Sequence, residues 1–165
     1  MVASPLTYAR VGALVLASLG AIAPGRAAPH AQSTAAGDAA VQRVLDDYIG
    51  LYRKDTLERW KTLFLPSFTA TYTNADGSVS SRTLNEFYEA QRSGFAAGEM
   101  SETLQNVRIQ RTGRLAHASA DFRFTSRGSS RDGKLMLLLI EEKGQFKVAA
   151  LAFTYSVADS GPRQP

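Results

Sequence analysis

The sequence contains no cysteine, so neither disulfide bonds nor thiolate metal sites are available to it. It has two histidines, His30 and His117, which are too few for a metal site built from several histidines. We therefore expect no metal site and no other cofactor, and we expect a packed apolar core to stabilise the fold. Eight Phe, six Tyr and one Trp supply aromatic surface for that core.

The sequence also lacks a leading hydrophobic run long enough to cross a membrane. The apolar stretch Val11 to Ala23 falls short of the ~20 residues that a membrane-spanning helix needs. Arg10 before it and the small-residue region Gly25-Arg26-Ala27-Ala28 after it are typical of a cleavable secretory signal over residues 1–27. Without an Arg-Arg pair or a cysteine for lipidation, the pattern predicts general secretion of a periplasmic or secreted bacterial protein. We expect no stable membrane insertion after signal cleavage.

The chain has little excess charge once this leader is removed. The formal net charge is +4, but Arg10 and Arg26 leave with the signal, so the basic residues then exceed the 15 acidic ones by two. Nucleic-acid binders carry a concentrated basic footprint, whereas the arginines here are spread over several segments. The composition therefore predicts no nucleic-acid partner.

Apolar residues at helical spacing begin the folded domain after a flexible spacer over residues 28–37. The spacing predicts an amphipathic helix over residues 39–53, capped by Asp38. Its apolar stripe consists of Val41, Val44, Leu45, Tyr48 and Tyr52.

Two further helices are predicted by their end signals. One runs over residues 56–64, with Asp55 and Glu58 in capping positions, and Pro66 ends it. The other starts at a capping box formed by Thr83 and Glu86 and ends near residues 94–98.

The remaining segments alternate as strands do. Phe68 to Thr73 has one buried face, and residues 74–78 turn the chain. Four more strands are predicted as an antiparallel meander, over residues 102–111, 115–126, 134–142 and 145–156.

Two of these strands differ in their apolar patterns. Leu115 to Thr125 alternates and should be half exposed, whereas Leu135 to Ile140 is apolar throughout and should be covered on both faces.

The sequence predicts one α+β domain over residues 38–156, with three N-terminal helices packed on one curved antiparallel sheet, and a disordered tail over residues 157–165.

This order of elements resembles the nuclear transport factor 2-like superfamily, also called cystatin-like. The resemblance covers about residues 38–156 and consists of a pattern of apolar positions. It implies a conical, barrel-like arrangement with a cavity between the helices and the concave sheet, and frequently a homodimer. The matching residues are Val41-Gln42-Arg43, Tyr48, Asp55, Leu63-Phe64, Phe68-Thr69-Ala70 and Leu84 to Tyr88.

The superfamily includes ketosteroid isomerases and polyketide cyclases as well as proteins that only bind or scaffold, so the fold does not decide the function. Tyr48 matches the tyrosine that donates a hydrogen bond in the isomerases. In that family the protein environment sets the pKa values of the catalytic carboxylates. The position of their base falls on Tyr72, however, and that of their second acid falls within Leu138 to Ile140. Tyrosine is a poor base near neutral pH, so we predict no catalytic residue of this kind.

His117, Ser119 and Asp121 have the residue types of a hydrolase triad but not its geometry. Alternate residues on one strand lie ~6.6 Å apart, whereas a nucleophile and its base must be within ~3.2 Å. The three are predicted to form part of an exposed polar face.

Aromatic residues are the candidate lining of a ligand pocket, although rings at helical and strand spacing also form ordinary cores. We predict that a small hydrophobic ligand contacts Tyr48, Tyr52, Trp60, Tyr72, Phe87 and Phe153.

Three classes of function remain open at this point. The first is an exported domain that binds a small hydrophobic molecule in a cone-shaped cavity. The second is an isomerase, cyclase or hydrolase that uses the same cavity, which would require a buried carboxylate there. The third is an assembly domain that acts through its exposed sheet face. The acids to inspect for the second class are Asp46, Asp47, Asp76, Asp121 and Glu102.

Overall fold

A computed structural model describes residues 35–74 and 76–156, all of which belong to one compact unit. The predicted signal over residues 1–27 and the predicted tail over residues 157–165 lie outside the described residues. The helices are α1 (Ala35–Gly50), α2 (Leu57–Lys61) and α3 (Leu84–Ala97). The strands are β1 (Phe64–Thr73), β2 (Val79–Thr83), β3 (Met100–Thr112), β4 (Leu115–Ser126), β5 (Ser129–Glu142) and β6 (Gln145–Tyr155).

The three helices form where the sequence predicts them, with different ends. Helix α1 already includes Ala35, so Asp38 lies in its first turn rather than at its cap. Helix α2 is shorter than predicted, because β1 begins at Phe64 and includes Pro66. The capping box of α3 is confirmed, since Thr83 and Glu86 each accept a hydrogen bond from the other's backbone N–H.

The six strands form one sheet in the order β2-β1-β6-β5-β4-β3. Strands β3 to β6 form the predicted antiparallel meander. The prediction of a wholly antiparallel sheet is wrong at one place, because β1 pairs with β6 in parallel. Strand β2 covers one edge of β1, and the backbone groups along the other edge need hydrogen-bonding partners. The last strand of the meander, β6, supplies them. Strand β2, which the sequence analysis did not predict, forms an antiparallel pair with β1.

The prediction that Leu135 to Ile140 is covered on both faces is also wrong. Leu135, Leu137 and Leu139 are buried, whereas the residues between them are not. Met136 is 51% exposed and Ile140 is 37% exposed. The helices pack on one face of the sheet, so the apolar side chains on the opposite face have no cover within the described residues. Strand β4 has the predicted half-exposed alternation, with its alanines at 116, 118 and 120 buried.

Trp60 lies at the centre of the core between the helices and the sheet. It is fully buried, and its indole N–H donates a hydrogen bond of 2.9 Å to the carbonyl oxygen of Tyr48. Its ring packs against Phe64 at 4.6 Å between centroids and against Tyr52 at 5.3 Å. These contacts fix the C-terminal end of α1 and the segment after it against α2 and β1, and this positions the tyrosines of the site described next.

Candidate functional site

A pocket of about 300 Å³ opens between the inner face of the sheet and helices α1 and α3. We call it the cone pocket. Its walls combine aromatic rings with a few polar side chains, the composition that small-molecule sites usually have. The aromatic lining residues are Tyr48, Tyr52, Tyr72, Phe87, Phe122, Phe124, Phe153 and Tyr155. The other lining residues are Thr73, Asn74, Arg82, Gln91, Glu102, Arg131, Leu135 and Leu151.

Five of the six predicted ligand-contacting residues line the cone pocket. Tyr48 and Tyr52 reach it from α1 and the segment after it, Phe87 reaches it from α3, and Tyr72 and Phe153 lie side by side on β1 and β6. Trp60 is not among the lining residues, because it is enclosed in the core and its N–H is bonded to the Tyr48 carbonyl. It supports the pocket wall from behind.

Glu102 is the acid that the structure places in the cone pocket. The residue is partly buried, and the Tyr48 hydroxyl donates a hydrogen bond of 3.4 Å to its Oε1 atom. The surrounding protein disfavours the charged carboxylate, and this desolvation raises the pKa of Glu102 to about 7, although the Tyr48 hydrogen bond acts in the opposite direction. Near neutral pH the side chain therefore exists in both protonation states, as a proton donor or acceptor must.

The two tyrosines nearest Glu102 remain protonated. Burial raises the pKa of Tyr48 well above its ordinary value, and the negative charge of Glu102 raises it further. Burial and the same charge also raise the pKa of Tyr52, whose hydroxyl donates a hydrogen bond to Oε1 of Gln91. Both hydroxyls are thus fixed hydrogen-bonding groups at the side of the pocket that Glu102 occupies.

The other four acids considered for catalysis lie outside the cone pocket. Asp46 and Asp47 are exposed on the outer side of α1. Asp76 lies in the turn between β1 and β2, where hydrogen bonds from the side chain and backbone of Ser78 lower its pKa. Asp121 is held by Lys134 and Asn106, and these contacts lower its pKa.

The residues compared with hydrolases and with ketosteroid isomerases do not form the sites of those enzymes. Asp121 bonds to Asn106 and Lys134 rather than to His117, so no triad forms on β4. Tyr72 stacks on Phe153 with ring centroids 5.2 Å apart. Within Leu138 to Ile140, the first and last residues point away from the pocket. The carboxylate is supplied from β3 instead, at a position that the isomerase comparison did not indicate.

A row of three rings crosses the cone pocket between two arginines. Tyr72 stacks on Phe153, and Phe153 meets Tyr155 edge to face at 5.7 Å. The guanidinium carbon of Arg82 lies 5.2 Å from the centre of the Tyr72 ring, and that of Arg131 lies 4.0 Å from the centre of the Tyr155 ring. Each end of the row thus carries a positive charge stacked on an aromatic face.

The sequence analysis missed both arginines, for different reasons. Arg82 lies on the unpredicted strand β2. Arg131 lies on β5, which the sequence analysis started at residue 134, whereas the strand begins at Ser129. Because alternate strand residues share a face, a longer strand would have placed Arg131 on the same side as the buried Leu135.

The described residues contain no group of three or more His, Asp or Glu side chains that could hold a metal ion. None of the helices they form is long and apolar enough to cross a membrane.

No family model matches the sequence, and no curated protein matches it. Solved structures do match. A nuclear transport factor 2-like protein of unknown function from Shewanella baltica has a TM-score of 0.60 and 15% identity, over 77% of this chain and 99% of its own. An uncharacterised cystatin-like protein from Caulobacter vibrioides has a TM-score of 0.60 and 18% identity, over 76% and 93%. A candidate scytalone dehydratase from Novosphingobium aromaticivorans has a TM-score of 0.60 and 14% identity, over 78% and 90%. The chain therefore has the nuclear transport factor 2-like, or cystatin-like, fold.

Proposed function

We propose that this protein binds a small, flat, largely apolar molecule in the cone pocket. The observation that carries the proposal is the pocket itself, an open volume of about 300 Å³ walled by aromatic rings where a filled core would have left none. The Glu102–Tyr48 pair provides a polar anchor in these apolar walls, because its carboxyl group can accept a hydrogen bond from a ligand hydroxyl.

The test is calorimetric titration with 2-naphthol, a flat bicyclic ring that carries one hydroxyl. We expect saturable one-to-one binding, and we expect Gln91→Trp to weaken it at least about tenfold, because Gln91 lines the pocket from α3 and a large ring there occupies the ligand volume. Ser93→Trp is the matched control, since Ser93 is exposed on the same helix and does not line the pocket. Lack of saturable binding to the unmodified protein would contradict the proposal, as would equal effects of the two folded variants.

Glu102 supports a second candidate function, acid–base catalysis in the same pocket. Its pKa of about 7 suits a group that removes a proton from carbon and returns it. The structural likeness to a candidate dehydratase is compatible with an enzyme of this kind, although the likeness is in fold. In the proposed step the C–H bond next to a ketone breaks, the proton passes to the Glu102 carboxylate, and an enolate remains until the proton is returned.

Deuterium exchange into 2-tetralone, a bicyclic ketone of matching shape, tests this second candidate. We expect the protein to accelerate exchange of the protons next to the carbonyl in D₂O, as observed by proton NMR. Glu102→Gln should reduce the protein-dependent rate at least about 100-fold, because it removes the proton acceptor. Exchange at the buffer rate, or equal rates for the protein and the variant, would exclude Glu102 as a base for such ketones.

A further inference from the structure

Arg82 and Arg131 hold positive charges at the cone pocket, and no carboxylate of the described residues is bonded to either of them. Among the described residues, no ion pair includes either of them. The carboxylates nearest to them in sequence make their hydrogen bonds with other residues, although the charge of Arg82 also acts on Glu86. Glu86 accepts hydrogen bonds from the backbone and side chain of Thr83, and Asp132 pairs with Arg123 at 2.7 Å.

Both arginines also lie over aromatic rings. Each guanidinium stacks on a ring that lines the pocket, Arg82 on Tyr72 and Arg131 on Tyr155. Stacking occupies the flat face of a guanidinium and leaves its N–H groups free to donate in the plane, which is the geometry that binds a carboxylate with two hydrogen bonds. Arg131 is exposed and Arg82 is partly exposed, so these donors lie at the solvent side of the pocket.

Neither arginine forms a salt bridge with Glu102. Neither of them is among the groups that shift the pKa of Glu102, whose charge is influenced by burial and by Tyr48. The pocket therefore has two polar regions of different chemistry, with the apolar rings of Tyr72 and Phe153 beside them. One region accepts a hydrogen bond at Glu102, and the other binds negative charge.

We infer that the natural ligand is an organic anion, a flat apolar molecule with a carboxylate or similar acidic group that Arg82, Arg131 or both bind at the pocket mouth. This inference rests on the proposed function, because it specifies the class of ligand for the same pocket. The rings bind the apolar body, and the arginines select molecules that carry the acidic group. Neutral molecules of the same shape bind more weakly, since they leave both guanidiniums without a partner.

A matched pair of ligands tests the inference: 2-naphthol, and 6-hydroxy-2-naphthoate, which adds one carboxylate to the same ring system. We expect the carboxylate to bind about tenfold more tightly in calorimetric titrations at low salt, because a charge-assisted hydrogen bond contributes more than a neutral one. The double variant Arg82→Gln/Arg131→Gln should lose this preference, so that it binds the two ligands with equal affinity. The preference should also decrease in 0.5 M NaCl, because salt screens exposed charges.

The control variant is Arg43→Gln, which removes the same charge from an exposed arginine on α1 outside the pocket. It should retain the preference. Equal affinities for the two ligands would overturn the inference and leave the proposed function standing, whereas failure of both ligands to bind would overturn both. An equal loss of preference in the Arg43→Gln variant would show a general effect of net charge and would also overturn the inference. Thermal unfolding of each variant establishes that it is folded before it is titrated.

Discussion

Glu102 combines two features that rarely occur together in a side chain of the fold's interior: it is ionisable, and it faces a space that a ligand can enter. A glutamate that only supported the fold would gain by being paired with a cation, since an uncompensated buried carboxylate is costly. Here the partner is a tyrosine hydroxyl at 3.4 Å. Ionising such a group lowers stability, and this is why we propose a role in binding or chemistry for Glu102.

The stability of the protein should depend on pH through Glu102. Its pKa rises from an ordinary 4.5 when unfolded to about 7 when folded, so the folded state binds more protons between these values. The contribution of Glu102 to stability is therefore fully present below pH 4.5 and is lost as the pH rises through 7. Glu102→Gln removes this dependence. Between pH 5 and pH 8, the free energy of unfolding of the variant should therefore rise relative to that of the wild type, by up to about 2.5 kcal/mol.

Urea unfolding of both proteins at pH 5 and pH 8 measures this difference. Glu99→Gln serves as the control, because Glu99 is an exposed carboxylate just before the same strand. A parallel pH dependence of the wild type and Glu102→Gln would mean that Glu102 titrates as an exposed glutamate does.

Strand β5 has apolar side chains on both of its faces, but only one face is buried. Its inner face carries the buried leucines of the core, and its outer face exposes Met136, Leu138 and Ile140. Leu115 of β4 lies opposite Ile140 and is 48% exposed, so the apolar surface extends across two strands. An apolar surface of this kind on a sheet is typical of an interaction site.

We expect this surface to pair with a second copy of the chain, since a two-fold axis would bury the same apolar patch of both copies against each other. Light scattering after size exclusion should then give twice the mass of one chain at high concentration and a lower mass on dilution. Met136→Lys should favour the monomer, because it places a charge at the most exposed side chain of the surface. Gln145→Lys, which changes an exposed residue at the start of β6, should leave the mass unchanged. A mass of one chain at every concentration would contradict the expectation.

Among the elements, those specified by neighbouring residues were predicted best. The capping box of α3 needs only Thr83 and Glu86, and the β3 to β6 meander needs only alternation and turn residues between consecutive strands. The parallel pairing of β1 with β6 joins segments from opposite ends of the domain, such as Tyr72 and Phe153. Local patterns contain no information about such a pairing, so the sequence analysis did not find it.

At the scale of the whole molecule, the sequence pattern predicted the fold, whereas the site depends on residues that are distant in the sequence. The apolar pattern was enough to predict an α+β domain of the nuclear transport factor 2-like fold, and the solved structures share that fold at 14–18% identity. Such identities leave function open, because one fold carries many activities. The function therefore depends on the side chains that line the cone pocket.

The sequence by itself determined the kinds of groups that are available: abundant rings, no cysteine, two histidines, and five acids to consider for catalysis. The tertiary structure decided which of these groups meet. It enclosed Glu102 beside Tyr48, placed Trp60 in the core, and stacked Arg82 and Arg131 at the two ends of one row of rings. The physical reason is that residue type is a local property, whereas desolvation and electrostatic pairing depend on everything that surrounds a side chain. Those surroundings come from strands and helices that are distant in the sequence.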